Sequence, residues 1–322
     1  SVFLEIRNDL HQSYPMYRLL QGDVGSGKTV VSAMAALQAI NSGFQVAFMA
    51  PTEILAEQHF EKLTSWLTKL GIHVELLTGS MSSKLKDKSY EKIKSGEAKL
   101  IVGTHALIQE KVDFKFIGFY IIDEQHRFGV KQRLSLRKKS ESNKDFEPHQ
   151  LMMSATPIPR TLAMSYFADM DISIINEMPP GRQSIKTKMF SSEKRDQILD
   201  TINQNCLNGN QVYWVCPLIE ESETLQLETA EQTFQDLSDH FFNHKIGLIH
   251  GRLPSNDKKE IMEEFKKNKI KILVATTVIE VGVDVPNATL MVIENAERMG
   301  LSQLHQLRGR IGRGDTKSIC IL

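Results

Sequence analysis

Short, largely apolar runs alternate with longer amphipathic stretches along almost the whole chain, and that alternation leaves few folds open. Arg18–Leu20, Gln45–Ala50, His73–Leu77, Leu100–Gly103, Phe119–Ile122 and His149–Met153 have the length of strands but not the polar-apolar alternation of a strand with one wet face. Between them, Thr29–Ser42, Thr52–Lys69 and Ser82–Ser95 have helical length and spacing. Strands buried on both faces and joined through helices predict a parallel sheet flanked by helices. The segment Asn176–Ser184, N-E-M-P-P-G-R-Q-S, breaks the pattern as a linker would. The alternation then restarts, with strands at Ile185–Phe190, Gln211–Cys216, Ile246–His250, Lys271–Ala275, Ala288–Glu294 and Ser318–Leu322. Helices are predicted at Ser192–Cys206, Thr229–Asn243 and Ser255–Lys267. The reading is two α/β domains, 1–178 and 179–322, which suits a chain of 322 residues.

Charge narrows the function classes. The chain carries 39 Lys+Arg against 39 Asp+Glu, and the balance holds on both sides of the linker, 21 against 20 over Ser1–Pro180 and 18 against 19 over Gly181–Leu322. This argues against a uniformly basic nucleic-acid-coating protein and against an acidic tail, and leaves room for a local basic groove. The most basic stretch, Lys131–Lys144, is read either as facing a polyanion or as a solvated loop or helix; Glu220–Glu231 reads as a surface loop or a helix start. Cys206, Cys216 and Cys320 lack the spacing of a disulfide framework or a zinc site, which points to a reducing cytosol. Apolar runs such as Val30–Ile40 fall short of the roughly 18 residues a membrane span needs, and the N-terminus lacks a signal-peptide pattern. A first residue that is not Met, and a last strand that ends the chain, predict a fragment of a longer protein.

The chemistry begins at Gly22-Asp23-Val24-Gly25-Ser26-Gly27-Lys28-Thr29, a G-x-x-x-x-G-K-[ST] sequence lying after a predicted strand and before a predicted helix. Gly22, Gly25 and Gly27 let the backbone curl until several N–H groups face one point, and the helix N-terminus adds its positive end. Lys28 supplies a charge to the β- and γ-phosphates of a nucleotide and Thr29 a hydroxyl to Mg2+. The apolar strand Phe119–Ile122 ends in Asp123-Glu124, which puts two carboxylates at the carboxyl edge of the sheet, where α/β proteins bind ligands. Asp123 is assigned to the Mg2+ site and Glu124 to orienting and deprotonating a water.

Asp123-Glu124-Gln125-His126 is a D-E-x-H box, Ser154-Ala155-Thr156 an S-A-T element, and Gln306-Leu307-Arg308-Gly309-Arg310-Ile311-Gly312-Arg313 a Q-x-x-G-R-x-G-R element. In this order they resemble superfamily 2 helicases and translocases. The longer stretches D-E-Q-H-R-F-G-V-K-Q-R, S-A-T-P-I-P-R-T-L and N-A-E-R-M-G-L-S-Q-L-H-Q-L-R-G-R-I-G-R-G narrow the resemblance to the RecG family of bacterial ATP-dependent DNA helicases. It covers Arg18 to Leu322. Ser26 and Gln125 favour that family over the related transcription-repair coupling factors, which usually carry phenylalanine and glutamate there.

The resemblance implies two tandem RecA-like P-loop NTPase domains, each a mainly parallel sheet flanked by helices, with an ATP cleft between them. It implies that Arg310 and Arg313 act as arginine fingers, that Gln306, Gly282 and Asp284 line the nucleotide, and that Gln125, His126, Ser154 and Thr156 couple the γ-phosphate to the nucleic-acid side. His126 also reads as a buried core histidine. Nucleic-acid contacts are implied for Pro51, Thr52, Thr78, Gly79, Thr104, His105, Arg252, Thr276 and Thr277. Most of these are small or hydroxylated, which suits backbone contacts that position a strand without reading bases.

The expected activity is ATP hydrolysis, with ATP and Mg2+, driving movement on branched or duplex DNA by a monomeric bacterial cytoplasmic protein without membrane association. A coupling-factor-like translocase and an ATP-binding scaffold with poor turnover are the alternatives. A wedge domain and an adenine-recognition segment would precede Ser1 and a translocation hairpin would follow Leu322, so the chain by itself is expected to bind ATP and hydrolyse it slowly at most, without unwinding forks.

Overall fold

A computed structural model of the chain describes residues 1–124, 147–155, 170–176, 184–216, 223–276, 285–312, 314 and 316–322. It divides into two compact units, Ser1–Met178 and Pro179–Leu322.

The first unit contains β1 (Tyr17–Gly22), β2 (Gln45–Met49), β3 (Val74–Leu77), β4 (Leu100–Gly103), β5 (Ile117–Ile122), β6 (His149–Ser154) and β7 (Asp171–Ile175). They form one sheet in the order β3-β4-β2-β5-β6-β1-β7, with every pairing parallel. Its helices include α1 (Val2–Asp9), α2 (Lys28–Asn41), α3 (Glu53–Leu67) and α4 (Ser83–Ser95). Successive strand residues point to opposite faces and both faces are buried. Leu20, Val46 and Phe48 pack with Ile6, Ala33, Ala36 and Leu63, while Leu19, Ala47 and Met49 pack with Ile93, Leu107 and Tyr120. This is why the strands read as continuous apolar runs.

The second unit contains β8 (Lys186–Lys188), β9 (Gln211–Val215), β10 (Ile246–Ile249), β11 (Ile272–Ala275), β12 (Ala288–Ile293) and β13 (Ile319–Ile321). Its helices include α5 (Arg195–Leu207), α6 (Glu223–His240), α7 (Ser255–Lys266) and α8 (Leu301–Arg308). The strand order is β10-β11-β9-β12-β13-β8, again parallel throughout. Replacing β1 to β6 by β8 to β13 turns the first order into the second, so the two units share one topology, with β7 an addition to the first. Side chains repeat as well. Gln45, at the start of β2, donates its amide to the carbonyls of Ile93 and Ala98 at 2.9 and 2.8 Å. Gln211, at the start of β9, donates to those of Phe265 and Ile270 at 2.6 and 2.7 Å. Each buried glutamine ties the end of one helix to the start of the following strand.

Three described α-helices and strands have no counterpart in the sequence expectation, and a fourth starts earlier than expected. Helix α1, strand β7 and helix α8 were not among those predicted. Arg18 accounts for the first two: within the buried strand β1, its guanidinium donates to Asp9 of α1 at 2.6 Å and to Ser173 of β7 at 2.8 Å. A charge in a buried strand must be paired, and α1 and β7 supply the partners. Helix α6 begins at Glu223, ahead of the expected Thr229. No helix among the described residues is long and apolar enough to cross a membrane.

The edge strand β3 is fastened to α4 through Glu75. Its carboxylate accepts from Ser89 at 2.8 Å, Lys92 at 3.0 Å and His73 at 2.8 Å. Burial pushes the Glu75 carboxyl up, but the hydrogen bonds from His73, Lys92 and Ser89 outweigh it and hold the group below the ordinary carboxylate range. The stabilisation is therefore present above that range and fades as pH falls through the lowered value. Glu75→Gln is expected to cost the first unit about 1–2 kcal/mol at neutral pH, read from urea unfolding. The gap to wild type should close on acidification; a gap that is constant from neutral to acid pH would contradict this.

Candidate nucleotide site and nucleic-acid edge

Parallel strands all end at one edge, and in the first unit that edge carries most of the residues singled out in the sequence. Neighbouring strands β5, β6 and β1 deliver Asp123, Ser154 and Gly22 to adjacent positions: Gln21 is in register with Ser154, and Ile122 with Met152. The loop from Gly22 then leads into α2, whose first residue is Lys28.

Gly27 caps α2 with φ 96°, and Gly25 has φ 82°, both in the left-handed region that glycine adopts without a Cβ clash. Gly22 is needed for space: a Cβ there would lie 2.5 Å from Ser26 Oγ and 3.1 Å from Ile175 Cβ. Lys28 is 9% exposed, and its ammonium donates to the carbonyls of Gly22 at 2.6 Å and Asp23 at 2.9 Å. The helix N-terminus and the lysine thus concentrate positive potential inside the loop. Ser26 Oγ, in the same loop, is buried and has no hydrogen-bond partner among the described residues. Thr29 follows, half-buried in the first turn of α2.

Asp123 is 8% exposed. Its Oδ2 accepts from His59 Nε2 at 2.8 Å and its Oδ1 from the backbone N–H of Glu124 at 3.0 Å. Burial pushes the carboxyl up, yet the His59 hydrogen bond and field, the Lys28 charge and the Glu124 N–H together hold it below its ordinary value. An ionised carboxylate and a threonine hydroxyl form a hard-oxygen donor set that fits a divalent cation of the Mg2+ kind. Glu124 has φ 49°, a left-handed conformation uncommon outside glycine.

The other half of the same edge, strands β3, β4 and β2, presents Thr78-Gly79-Ser80, Thr104-His105 and Pro51-Thr52. These turns are neighbours because the strands are: Met49 and Leu77 both register with Gly103. Thr52 caps α3, its hydroxyl accepting from Leu55 N–H. Glu53 accepts from the Ser80 N–H at 2.7 Å, and Lys86 donates to the Gly79 carbonyl at 2.6 Å. Gly79, Ser80 and His105 are exposed, and the buried Thr104 Oγ1 has no hydrogen-bond partner among the described residues. In the second unit Gly251-Arg252 and Thr276 follow the adjacent strands β10 and β11, and Lys258 donates to the Gly251 carbonyl at 2.6 Å. That repeats the Lys86–Gly79 arrangement at the same spacing of seven residues. Arg252 is exposed and Thr276 buried.

Gln306, on α8, and Arg310, in the turn after it, are buried, 5% and 8% exposed. Gln125, His126, Thr156, Thr277, Gly282, Asp284, Arg313 and the Lys131–Lys144 patch lie outside the described residues. Sequence reasoning missed His59, Glu53, Lys86 and Lys258. Lys86 and Lys258 carried one signal, a lysine seven residues after the glycine of a turn, whereas Glu53 and His59 sit in an ordinary helical stretch and had none.

Residues 10–165 match the DEAD/DEAH box helicase family and residues 193–315 the helicase conserved C-terminal domain. The chain is therefore a superfamily 2 helicase core built of two tandem RecA-like domains. It is 56% identical to ATP-dependent DNA helicase RecG of Pasteurella multocida over 319 residues, 99% of this chain and 46% of that protein. It is 53% identical over 322 residues to the Escherichia coli K12 protein of the same name, of which it again covers 46%. The structure of RecG bound to a three-way DNA junction matches 99% of this chain and 41% of that one, with TM-score 0.79 and 45% identity. The chain belongs to the RecG family, and it spans about half the length of these curated relatives. Saccharomyces cerevisiae Dbp5 bound to RNA and ADP BeF3, 18% identical with TM-score 0.72, shares the fold.

Replacing Lys28 by Ala removes both the charge and the two bonds that shape the loop. Affinity for a fluorescent ATP analogue should fall by tenfold or more, about 1.4 kcal/mol, with the thermal transition of the first unit retained. Unchanged affinity would remove Lys28 from the site.

Proposed function

We propose that this chain is the ATP-hydrolysing motor of a RecG-type helicase, which moves on duplex DNA and remodels forks and branched recombination intermediates. The observation that carries the reading is the convergence of the phosphate loop and the ionised, buried Asp123 at the carboxyl edge of one parallel sheet. Phosphates need converging N–H groups and a cation; the loop of Gly22, Gly25 and Gly27 with Lys28 provides both. Thr29 and Asp123 would hold Mg2+, which when bound neutralises charge on the β- and γ-phosphates.

Glu124 takes the proton of the attacking water, and the loop and Lys28 fix the phosphate it attacks. Arg310 and Arg313 stabilise charge on the transferring phosphoryl group, a contribution worth about 10³–10⁵ in rate where such fingers operate. Gln306, Gly282 and Asp284 complete the nucleotide contacts, while Gln125, His126, Ser154 and Thr156 relay loss of the γ-phosphate. The reaction is ATP and water to ADP and phosphate.

DNA follows the turns at Pro51-Thr52, Thr78-Gly79, Thr104-His105, Arg252 and Thr276-Thr277. Hydroxyls and backbone N–H groups there meet phosphates without reading sequence. The relative solved on a three-way junction supports branched DNA as the partner. Asp123 followed by Glu124 and glutamine, and Ser26 in the loop, favour this over the transcription-repair coupling alternative. An ATP-binding scaffold would not need the Glu124 carboxylate beside Asp123.

Phosphate release measured with branched, duplex and single-stranded DNA should show stimulation by branched or duplex DNA. Glu124→Gln should lower kcat by about 10²–10⁴ while nucleotide binding persists, and Arg313→Ala should likewise remove stimulated turnover. Hydrolysis that survives Lys28→Ala would sink the motor reading, and nucleotide binding without stimulated turnover would favour the scaffold.

A further inference from the structure

We propose that His59 is a positioning residue for the Asp123 carboxylate, and that its Nε2–H sets the affinity of the nucleotide site for its divalent cation. The inference rests on the motor reading above and adds a residue to it from outside the loop and the D-E-x-H box.

Three observations carry it. His59 is 9% exposed and its Nε2 lies 2.8 Å from Asp123 Oδ2. Its ring packs on Phe48 with centroids 4.6 Å apart, so the imidazole is held by β2 as well as by its own helix. Asp123 is in turn fixed from the backbone side: its N–H donates to the Met49 carbonyl at 2.8 Å, and Oδ1 accepts from the Glu124 N–H. Strand β2 therefore locates both partners, Phe48 through the histidine ring and Met49 through the aspartate main chain. One carboxylate oxygen is committed to a backbone donor and the other to the histidine, which fixes the plane of the group and the directions of its remaining lone pairs.

A metal-binding carboxylate is commonly oriented in this way by a neighbour that never touches the metal, and removing such a neighbour typically costs 10–100-fold in metal affinity. Two other roles are open to a buried histidine. It could pack only, through Phe48, or it could merely neutralise a buried charge. Positioning differs from both in requiring a donor at the place of Nε2, whatever the rest of the side chain.

The test is Mn2+ binding to the ADP-loaded 322-residue chain, followed by electron paramagnetic resonance, in His59→Phe, His59→Gln and His59→Asn. Phenylalanine keeps the ring and loses the donor. Glutamine reaches the position of Nε2 with an amide N–H, and asparagine stops near that of Nδ1. The Mn2+ concentration for half-saturation should rise about tenfold or more in His59→Phe, remain within about threefold of wild type in His59→Gln, and rise in His59→Asn. If the phenylalanine variant fails to fold, the glutamine and asparagine pair still decides. Wild-type Mn2+ affinity in His59→Phe, or equal affinities in the glutamine and asparagine variants, overturns the proposal. A wild-type chain that takes up neither ADP nor Mn2+ overturns the motor reading and this one together, and so is distinguishable from a failure of His59 alone.

Discussion

A charged carboxylate buried at the end of an apolar strand is the constraint around which the first unit is arranged. An unpaired buried charge is costly enough that a carboxyl so placed would ordinarily neutralise itself. Asp123 escapes this because His59, Lys28 and the Glu124 N–H all favour its ionised form. Each comes from a different segment: α3, the start of α2, and the turn after β5. Keeping Asp123 ionised therefore requires the strand order that brings those segments together, with β5, β6 and β1 side by side and α3 rising from the end of β2.

The same strand order divides the carboxyl edge by chemistry. Strands β5, β6 and β1 end in carboxylates, a serine and the phosphate loop; strands β3, β4 and β2 end in threonines, glycine and proline. Helix α3 belongs to both halves. Its cap, Thr52, and first residue, Glu53, belong to the turn region, where Glu53 holds the Ser80 N–H, and two turns further along the same helix His59 grips Asp123. A rigid helix is thus shared by the turns assigned to DNA and the carboxylate assigned to the cation. This placement also explains the neutrality of the composition. A track built from hydroxyls and backbone N–H groups needs few full charges, and those the site does need are opposite in sign and concentrated at one edge.

Much of this was legible in the sequence. Strands packed on both faces read as apolar runs, and the phosphate loop and D-E-x-H box fell at a strand end followed by a helix, so their neighbourhood followed from parallel topology alone. What escaped depends on contacts between residues distant in the chain. Arg18 looks anomalous in an apolar strand until Asp9 and Ser173 are seen beside it. Gln45 and Gln211 look like polar strand starts until each is found tying a helix end to the next strand. His59 stands 64 residues from Asp123 in a helix of ordinary composition, and no spacing rule links the two. That both units are RecA-like was implied by the family resemblance; the repetition of Gln45 by Gln211 was not, because it lies in single buried side chains and not in a repeated sequence.

That shared topology sharpens what distinguishes the units. Glu294 follows β12 as Asp123 follows β5, and their N–H groups donate to the last residues of equivalent strands, Val215 at 3.0 Å and Met49 at 2.8 Å. The carboxylates are compensated differently. Asp123 has a histidine and the field of a lysine that belongs to a phosphate loop. Glu294 is paired at 2.6 Å with Arg195, whose guanidinium also lies 5.2 Å from the Trp214 ring centre. The connection from β8 into that region, Met189–Lys194, contains no glycine, so it cannot curl its N–H groups around a phosphate as the Gly22–Lys28 loop does. The Glu294 carboxylate is thus compensated by a guanidinium of its own unit and not by the lysine of a phosphate loop. One topology therefore carries a glycine-rich loop and its lysine beside the carboxylate of one edge, and an internal ion pair at the equivalent carboxylate of the other. Gln306 and Arg310, the described residues of the second unit proposed for the nucleotide, lie on α8 and in the turn that follows it.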